Sequence, residues 1–150
     1  AVYSHQLCLF GNGMAVSVIS TAARKCTMSF SDALIRGVFC NFLVCIAVWI
    51  SFAAKDAAGK VIGLFFPIMI FVLCGFEHSV ANMYYIGAGL MARTVPEYLD
   101  AALAAGLNPD VINLGNFLFA NLLPVTIGNV LGGGVCVGGV YWLAYLRKAD

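Results

Sequence analysis

Residues 74–82 read CGFEHSVAN, and they interrupt the apolar run FFPIMIFVLCGFEHSVANMYYIGAGLMA at 65–92. Glu77 and His78 stand side by side in sequence that otherwise has the composition of a membrane helix. The apolar stretch around them, 61–92, covers 32 residues. At ~1.5 Å per residue that is about 48 Å of helix, against a hydrocarbon core of about 30 Å. A stretch of that length either tilts steeply or breaks. Gly75, next to the polar pair, is where a break is expected.

Composition agrees with a membrane class. The 150 residues are 62% hydrophobic and 10% charged, with mean hydropathy +0.94, whereas soluble domains carry about 25% charged residues. Two more apolar stretches, 32–54 and 124–146, each have the roughly 20 residues that one span requires. With a net charge of +1, no basic run and no Gly-rich phosphate loop, nothing suggests a nucleic-acid partner. The chain begins with Ala, and residues 1–12 are too short and polar to span. No basic segment before an apolar core marks a signal peptide. The expectation is a fragment whose earlier spans are missing, with a small complete three-span protein as the alternative.

Charge placement sets an expected orientation. The connection between the first two spans carries Lys55 and Lys60 against Asp56, and the tail carries Arg147 and Lys148. The other connection holds Arg93 against Glu97, Asp100 and Asp110. The excess of Lys and Arg on the cytoplasmic side puts 55–60 and the C-terminus in the cytoplasm, in a multi-pass protein of the plasma or inner membrane. Trp49, Tyr84, Tyr85, Trp142 and Tyr145 fall near span ends, as interfacial aromatics do.

An ionised side chain at mid-membrane costs about 2.5–3.5 kcal/mol on insertion scales, and such groups face a cavity or the protein interior. Histidine evades that cost when neutral and titrates near neutral pH, which suits proton exchange. His78 therefore reads either as a group on a polar path or as a neutral hydrogen-bonding tie between helices. Neighbours on a helix point about 100° apart, so Glu77 has a separate job. It is expected to accept hydrogen bonds from backbone N–H groups freed at the break, which lipid does not satisfy. A helix restarting near Gly75 aims a positive dipole end, favourable to anions, into the membrane. Interrupted helices also mark the binding sites of transporters.

Asn41 and Asn129, each within a span, read equally as interhelical glue or as pore lining. Gly128, Gly132, Gly133, Gly134, Gly138 and Gly139 give the small-residue spacing that lets helices approach. Arg36 is expected to snorkel outward. Arg24 and Lys25 read as a solvated basic loop or as a lure for anions at a vestibule. His5 reads as incidental. The six cysteines, Cys8, Cys26, Cys40, Cys45, Cys74 and Cys136, contain no C-x-x-C pair and read as small hydrophobes. No metal-ligand set, no catalytic triad and no paired carboxylates are visible, so neither a cofactor nor an enzyme is expected.

NFLVCIAVWIS at 41–51, GFEHSVANM at 75–83 and LLPVTIGNVLGGG at 122–134 resemble three signatures of the formate/nitrite transporter family, in that family's order and spacing. The resemblance covers about residues 20–150. It implies six spans in two inverted three-span halves, an aquaporin-like bundle, assembled as a homopentamer with one pore per protomer. This chain then corresponds to the second half: an all-α membrane protein with a broken middle helix. Residues 1–30 would be an outer segment with the tail of the preceding span, and 31–150 the three-span half. The resemblance also implies site residues. His78 matches the central pore histidine, Asn129 the asparagine of the last span, and Lys25 the lysine that lies 16 residues before Asn41. Phe71, seven residues before His78, matches a phenylalanine that narrows the pore. The implied partners are protons and small monovalent anions, formate first and nitrite or hydrosulfide next. The implied mechanism passes a proton from His78 to a weak acid at a dry constriction. The alternatives are a passive pH-gated anion channel or a non-transporting structural fragment.

Overall fold

The structure, a computed structural model, describes residues 6–147. His5 and Lys148 lie outside the described residues. Six principal helices follow in order: α1 Gly13–Cys26, α2 Phe30–Ala53, α3 Ala57–Leu73, α4 Ser79–Ala92, α5 Pro96–Ala104 and α6 Asn116–Leu146. Short turns of 3₁₀ helix occupy Gln6–Cys8 and Pro109–Val111. No strand occurs among the described residues. Of these helices α2, with 24 residues, and α6, with 31, are long and apolar enough to cross a membrane.

The middle apolar stretch is broken. Its two pieces, α3 and α4, have 17 and 14 residues, about 25 and 21 Å at ~1.5 Å per residue. Asp56 starts α3 by accepting the Gly59 N–H at 2.8 Å, an N-cap that satisfies one otherwise orphaned donor. Gly75 ends α3. Its φ of 65° lies in the left-handed region that glycine enters without a Cβ penalty. The Phe76 N–H then reaches back to the Phe71 carbonyl at 3.0 Å, and the Gly75 N–H to the Val72 carbonyl at 3.1 Å. That pair of bonds is a Schellman stop. Residues 74–78 are non-helical.

α6 begins at Asn116, eight residues before the stretch expected from hydropathy, and runs through Pro124. Proline lacks an N–H and its ring presses on the carbonyl four residues back. The turns ahead of it, Asn116–Leu122, are wide, with π-helical bonding, and a wide turn absorbs such an irregularity. A second wide stretch, Leu131–Gly139, covers the glycine-rich segment.

The chain forms two compact units. One combines the chain up to Phe30 with Val80–Leu123; the other combines Ser31–Ser79 with the chain from Pro124 onward. The first unit has an apolar core that includes Ile19, Ala22, Ile86, Tyr98, Ala102 and Ile112. Gly89 lets α4 meet α1, because a Cβ there would sit 2.3 Å from the Ala22 Cβ. Arg93 fastens the connection after α4, donating to the carbonyls of Pro109 and Ile112 and facing Asp110 at 3.7 Å.

In the second unit α2 and α6 touch through backbone. A Cβ on Gly128 would lie 2.2 Å from the Leu34 carbonyl oxygen, one on Gly132 2.0 Å from that of Val38, and one on Gly133 2.3 Å from the Asn41 Nδ2. The packing role read from the glycine spacing thus belongs to these three. Gly134, Gly138 and Gly139 have room for a Cβ. α3 buries none of its residues against this chain.

Candidate functional site

The break sits in the second unit, docked against one turn of α2 and against α6. Three contacts join it to α2. The Arg36 carbonyl accepts the Glu77 N–H at 3.3 Å. The Arg36 guanidinium donates to the Gly75 carbonyl at 3.2 Å. The Phe76 ring stacks on Phe39 with centroids 5.5 Å apart.

Asn129 supplies the contacts from α6. Its Oδ1 accepts the Ser79 N–H, the first of α4, at 3.0 Å. Its Nδ2 donates to the carbonyls of Gly37 at 2.8 Å and Glu77 at 3.0 Å. One buried amide thus closes three backbone groups, two at the break and one on α2. Asn41 adds a further tie, its Nδ2 donating to the Asn129 carbonyl at 2.7 Å. Both asparagines bind helix to helix in the structure. One of the N–H groups at the break, that of Ser79, is capped by Asn129. Glu77 itself is 3% exposed.

His78, half-buried, is the last residue before α4. Its ring lies 6.3 Å from the Phe71 ring, centroid to centroid, at 36° between planes. Phe71 is on the last turn of α3, so the two half-helices bring the histidine and the phenylalanine together across the break. Among the expected site residues, this unit unites His78, Phe71, Gly75, Glu77, Asn41 and Asn129.

Lys25 belongs to the other unit, and the solvated loop does not describe it. It lies in the last turn of α1 and is 7% exposed. Its Nζ lies 5.4 Å from the centre of the Tyr85 ring, within cation–π range. Helix C-termini favour cations. The Lys25 carbonyl, one of the last of α1, accepts from the Asn121 Nδ2 at 3.0 Å, and the Asn82 Nδ2 donates to the Asn121 Oδ1 at 2.8 Å.

Arg36, Asn82 and Asn121 were not singled out as site residues in the sequence. Arg36 does not snorkel; a broken helix leaves carbonyls without N–H partners, and one of these, that of Gly75, takes its guanidinium. A basic residue inside one apolar stretch and a glycine break in another were the available signal. Asn82 and Asn121 carry the same mark as Asn41, an amide within apolar sequence. Asn121 lies ahead of Pro124, where the hydropathy places the start of the span.

The sequence pattern of the formate/nitrite transporters matches residues 1–143. The chain belongs to the formate/nitrite transporter family. Within it, the chain is 40% identical to the formate channel FocA of Escherichia coli (strain K12) over 137 residues, 90% of this chain and 48% of FocA. It is 45% identical to the uncharacterized transporter YrhG of Bacillus subtilis (strain 168) over 130 residues, 87% of this chain and 42% of YrhG. A solved pentameric formate channel with formate bound superposes with a TM-score of 0.85 at 37% identity, covering 97% of this chain and 58% of that one. The chain spans about half the length of the curated relatives it matches. The all-α membrane fold with a broken middle helix is therefore that of the family's solved channels.

Proposed function

We infer that the full-length protein carrying this chain moves a small monovalent anion across the plasma or inner membrane. Formate is the first choice, with nitrite or hydrosulfide next. The observation that carries this reading is the α3–α4 break, which sets His78 beside Phe71 while Asn129 and Arg36 hold the backbone around it. The names of relatives support the choice of anion: FocA is called a formate channel, and the pentameric structure has formate bound. That structure also supports a homopentamer here.

The chemistry follows from desolvation. A bare anion crossing a dry, phenylalanine-lined passage forfeits its hydration, whereas the neutral acid does not. His78 supplies a proton or a hydrogen bond as the anion arrives. The neutral acid passes Phe71, and water reprotonates the imidazole. Lys25, at the end of α1, raises the local concentration of anions. The C-terminus faces the cytoplasm, because the basic residues cluster at 55–60 and after α6. Transport rather than catalysis is the activity.

A passive pH-gated anion channel is the second reading, favoured by the word channel in the names of FocA and the pentameric structure. The two separate in liposomes holding the full-length protein. Formate, nitrite and hydrosulfide fluxes are recorded under imposed pH gradients for the wild type and for His78→Asn. Proton-linked transport requires flux to rise on the acidic side and to collapse in the variant. Flux in His78→Asn equal to that of the wild type would reject the relay and leave the channel. No flux of any of the three would reject both.

A further inference from the structure

Arg36 stands within the apolar helix α2, six residues after its start. Its main chain and its side chain hold the two ends of one short segment. The carbonyl accepts the Glu77 N–H, and the guanidinium donates to the Gly75 carbonyl. Gly75 is the left-handed residue that stops α3, and Glu77 is next to His78. A Cβ built on Gly75 would lie 3.5 Å from the Arg36 Nη1, so the guanidinium rests directly over the turn. Phe39, one turn further along α2, stacks on Phe76, the residue between the two hydrogen bonds. Three consecutive residues of the break are thus gripped by one face of α2.

The electrostatics favour the same arrangement. The C-terminal end of α3 carries the negative end of its dipole and unpaired carbonyls. A guanidinium is always charged and forms strong hydrogen bonds to such oxygens. Water satisfies these carbonyls in a soluble protein, but lipid does not.

We propose that Arg36 is a positioning residue for the transport path: its guanidinium, on the Gly75 carbonyl, fixes the break so that His78 stays opposed to Phe71. This rests on the reading of His78 as the group that handles the anion. Arg36 acts through the backbone of residues 75–77 and does not itself touch the substrate. Removing the guanidinium frees the turn, the imidazole loses its place, and the maximal rate falls while anion binding elsewhere on the path is kept.

The test uses the full-length protein in liposomes, as wild type, Arg36→Met, Arg36→Lys, His78→Asn and the double variant Arg36→Met/His78→Asn. Amide exchange is followed at 74–79 and, as an internal control, at α1 and α5. In Arg36→Met, exchange at 74–79 is expected to quicken about tenfold, the scale of one lost hydrogen bond to a charged group, with α1 and α5 unchanged. Maximal formate flux is expected to fall about tenfold at an unaltered half-saturating concentration, again on the scale of one such bond. Arg36→Lys, which keeps a donor, is expected to recover part of both. Added to His78→Asn, Arg36→Met is expected to cost no further flux, the non-additivity of residues acting through one another.

Unchanged exchange at 74–79 would overturn the proposal. So would faster exchange everywhere, which marks general destabilisation, or full additivity with His78→Asn. If the wild type moves none of the three anions, the transport reading fails by itself, and the exchange data still decide whether Arg36 holds the break.

Discussion

The Asn129 Oδ1 accepts the backbone N–H of Ser79 at 3.0 Å, across 50 positions of sequence. The first N–H groups of any helix lack partners within it, and a neighbouring side chain commonly serves as the cap. Here the cap comes from a different helix. The amide's other end donates to Gly37 and Glu77, so the start of α4, the break and α2 are joined through one residue that is 7% exposed.

Asn129→Ala removes all three bonds and leaves a buried N–H and two carbonyls to find other partners. Each buried group left unsatisfied costs about 1–3 kcal/mol. The expected loss is about 3 kcal/mol or more, three such groups at the low end of that scale, read as a clear drop in the unfolding temperature of the detergent-solubilised full-length protein. Asn129→Asp keeps the acceptor toward Ser79 but loses both donors, so it should also destabilise. An unchanged melting temperature in Asn129→Ala would show that the amide holds nothing essential.

Gly75 offers a separate test of the break. A Cβ there meets only the Arg36 Nη1, at an ordinary 3.5 Å, so any penalty comes from the left-handed φ and not from crowding. Gly75→Ala is expected to cost about 1–2 kcal/mol. Gly75→Asn should cost less, because asparagine enters that region more readily. Equal stability of the two variants would contradict a backbone origin for the effect.

Much of this was legible in sequence for identifiable reasons. A 32-residue apolar stretch is too long for the bilayer, and Gly75 was its natural breaking point, so the break followed from length and one residue type. Small residues at 128, 132 and 133 announced a close contact, though not that α2 was the partner. Partners are long-range facts: periodicity shows that Asn129 lies within a span, but not that it reaches Ser79. For Arg36 the rule that long basic side chains snorkel gave the wrong direction, because it assumes that water is the nearest acceptor. The Gly75 carbonyl is an acceptor that exists only once the helix has broken. At Lys25 the surrounding sequence suggests a polar loop, whereas the residue lies in the last turn of α1, 7% exposed, with the Tyr85 ring beside it.

The glycine seam supplies a matched pair. Gly132→Ala would push a Cβ to 2.0 Å from the Val38 carbonyl oxygen, while at Gly134 the nearest neighbour is 4.0 Å away. Overpacking of this kind costs about 1–3 kcal/mol or more. Gly134→Ala instead gains helix propensity, up to about 1 kcal/mol. Folded yield and thermal stability should therefore fall for Gly132→Ala and hold or rise for Gly134→Ala. Equal losses at the two positions would mean that the α2–α6 contact is not as close as the structure has it.

Lys25 and Tyr85 make the last test, in the unit that does not hold His78. The ammonium lies 5.4 Å from the ring centre, and an arrangement of this kind is worth about 0.5–1 kcal/mol at an exposed site and more where it is desolvated. Tyr85→Leu keeps the apolar cover but removes the ring's negative face. If Lys25 draws anions toward the path, loosening the hold of the ring on its ammonium should lower the half-saturating formate concentration about two- to fivefold, that same energy expressed as a binding ratio. Lys25→Met should instead raise the half-saturating concentration and leave the maximal rate nearly intact, because it removes attraction and not the histidine. The effect of Lys25→Met should also shrink in high salt, since attraction at a distance is screened over about 8–10 Å. The measurement is formate flux against concentration in liposomes at two ionic strengths. A fall in maximal rate with the half-saturating concentration unmoved would place Lys25 in the chemistry at the constriction and not in the gathering of anions.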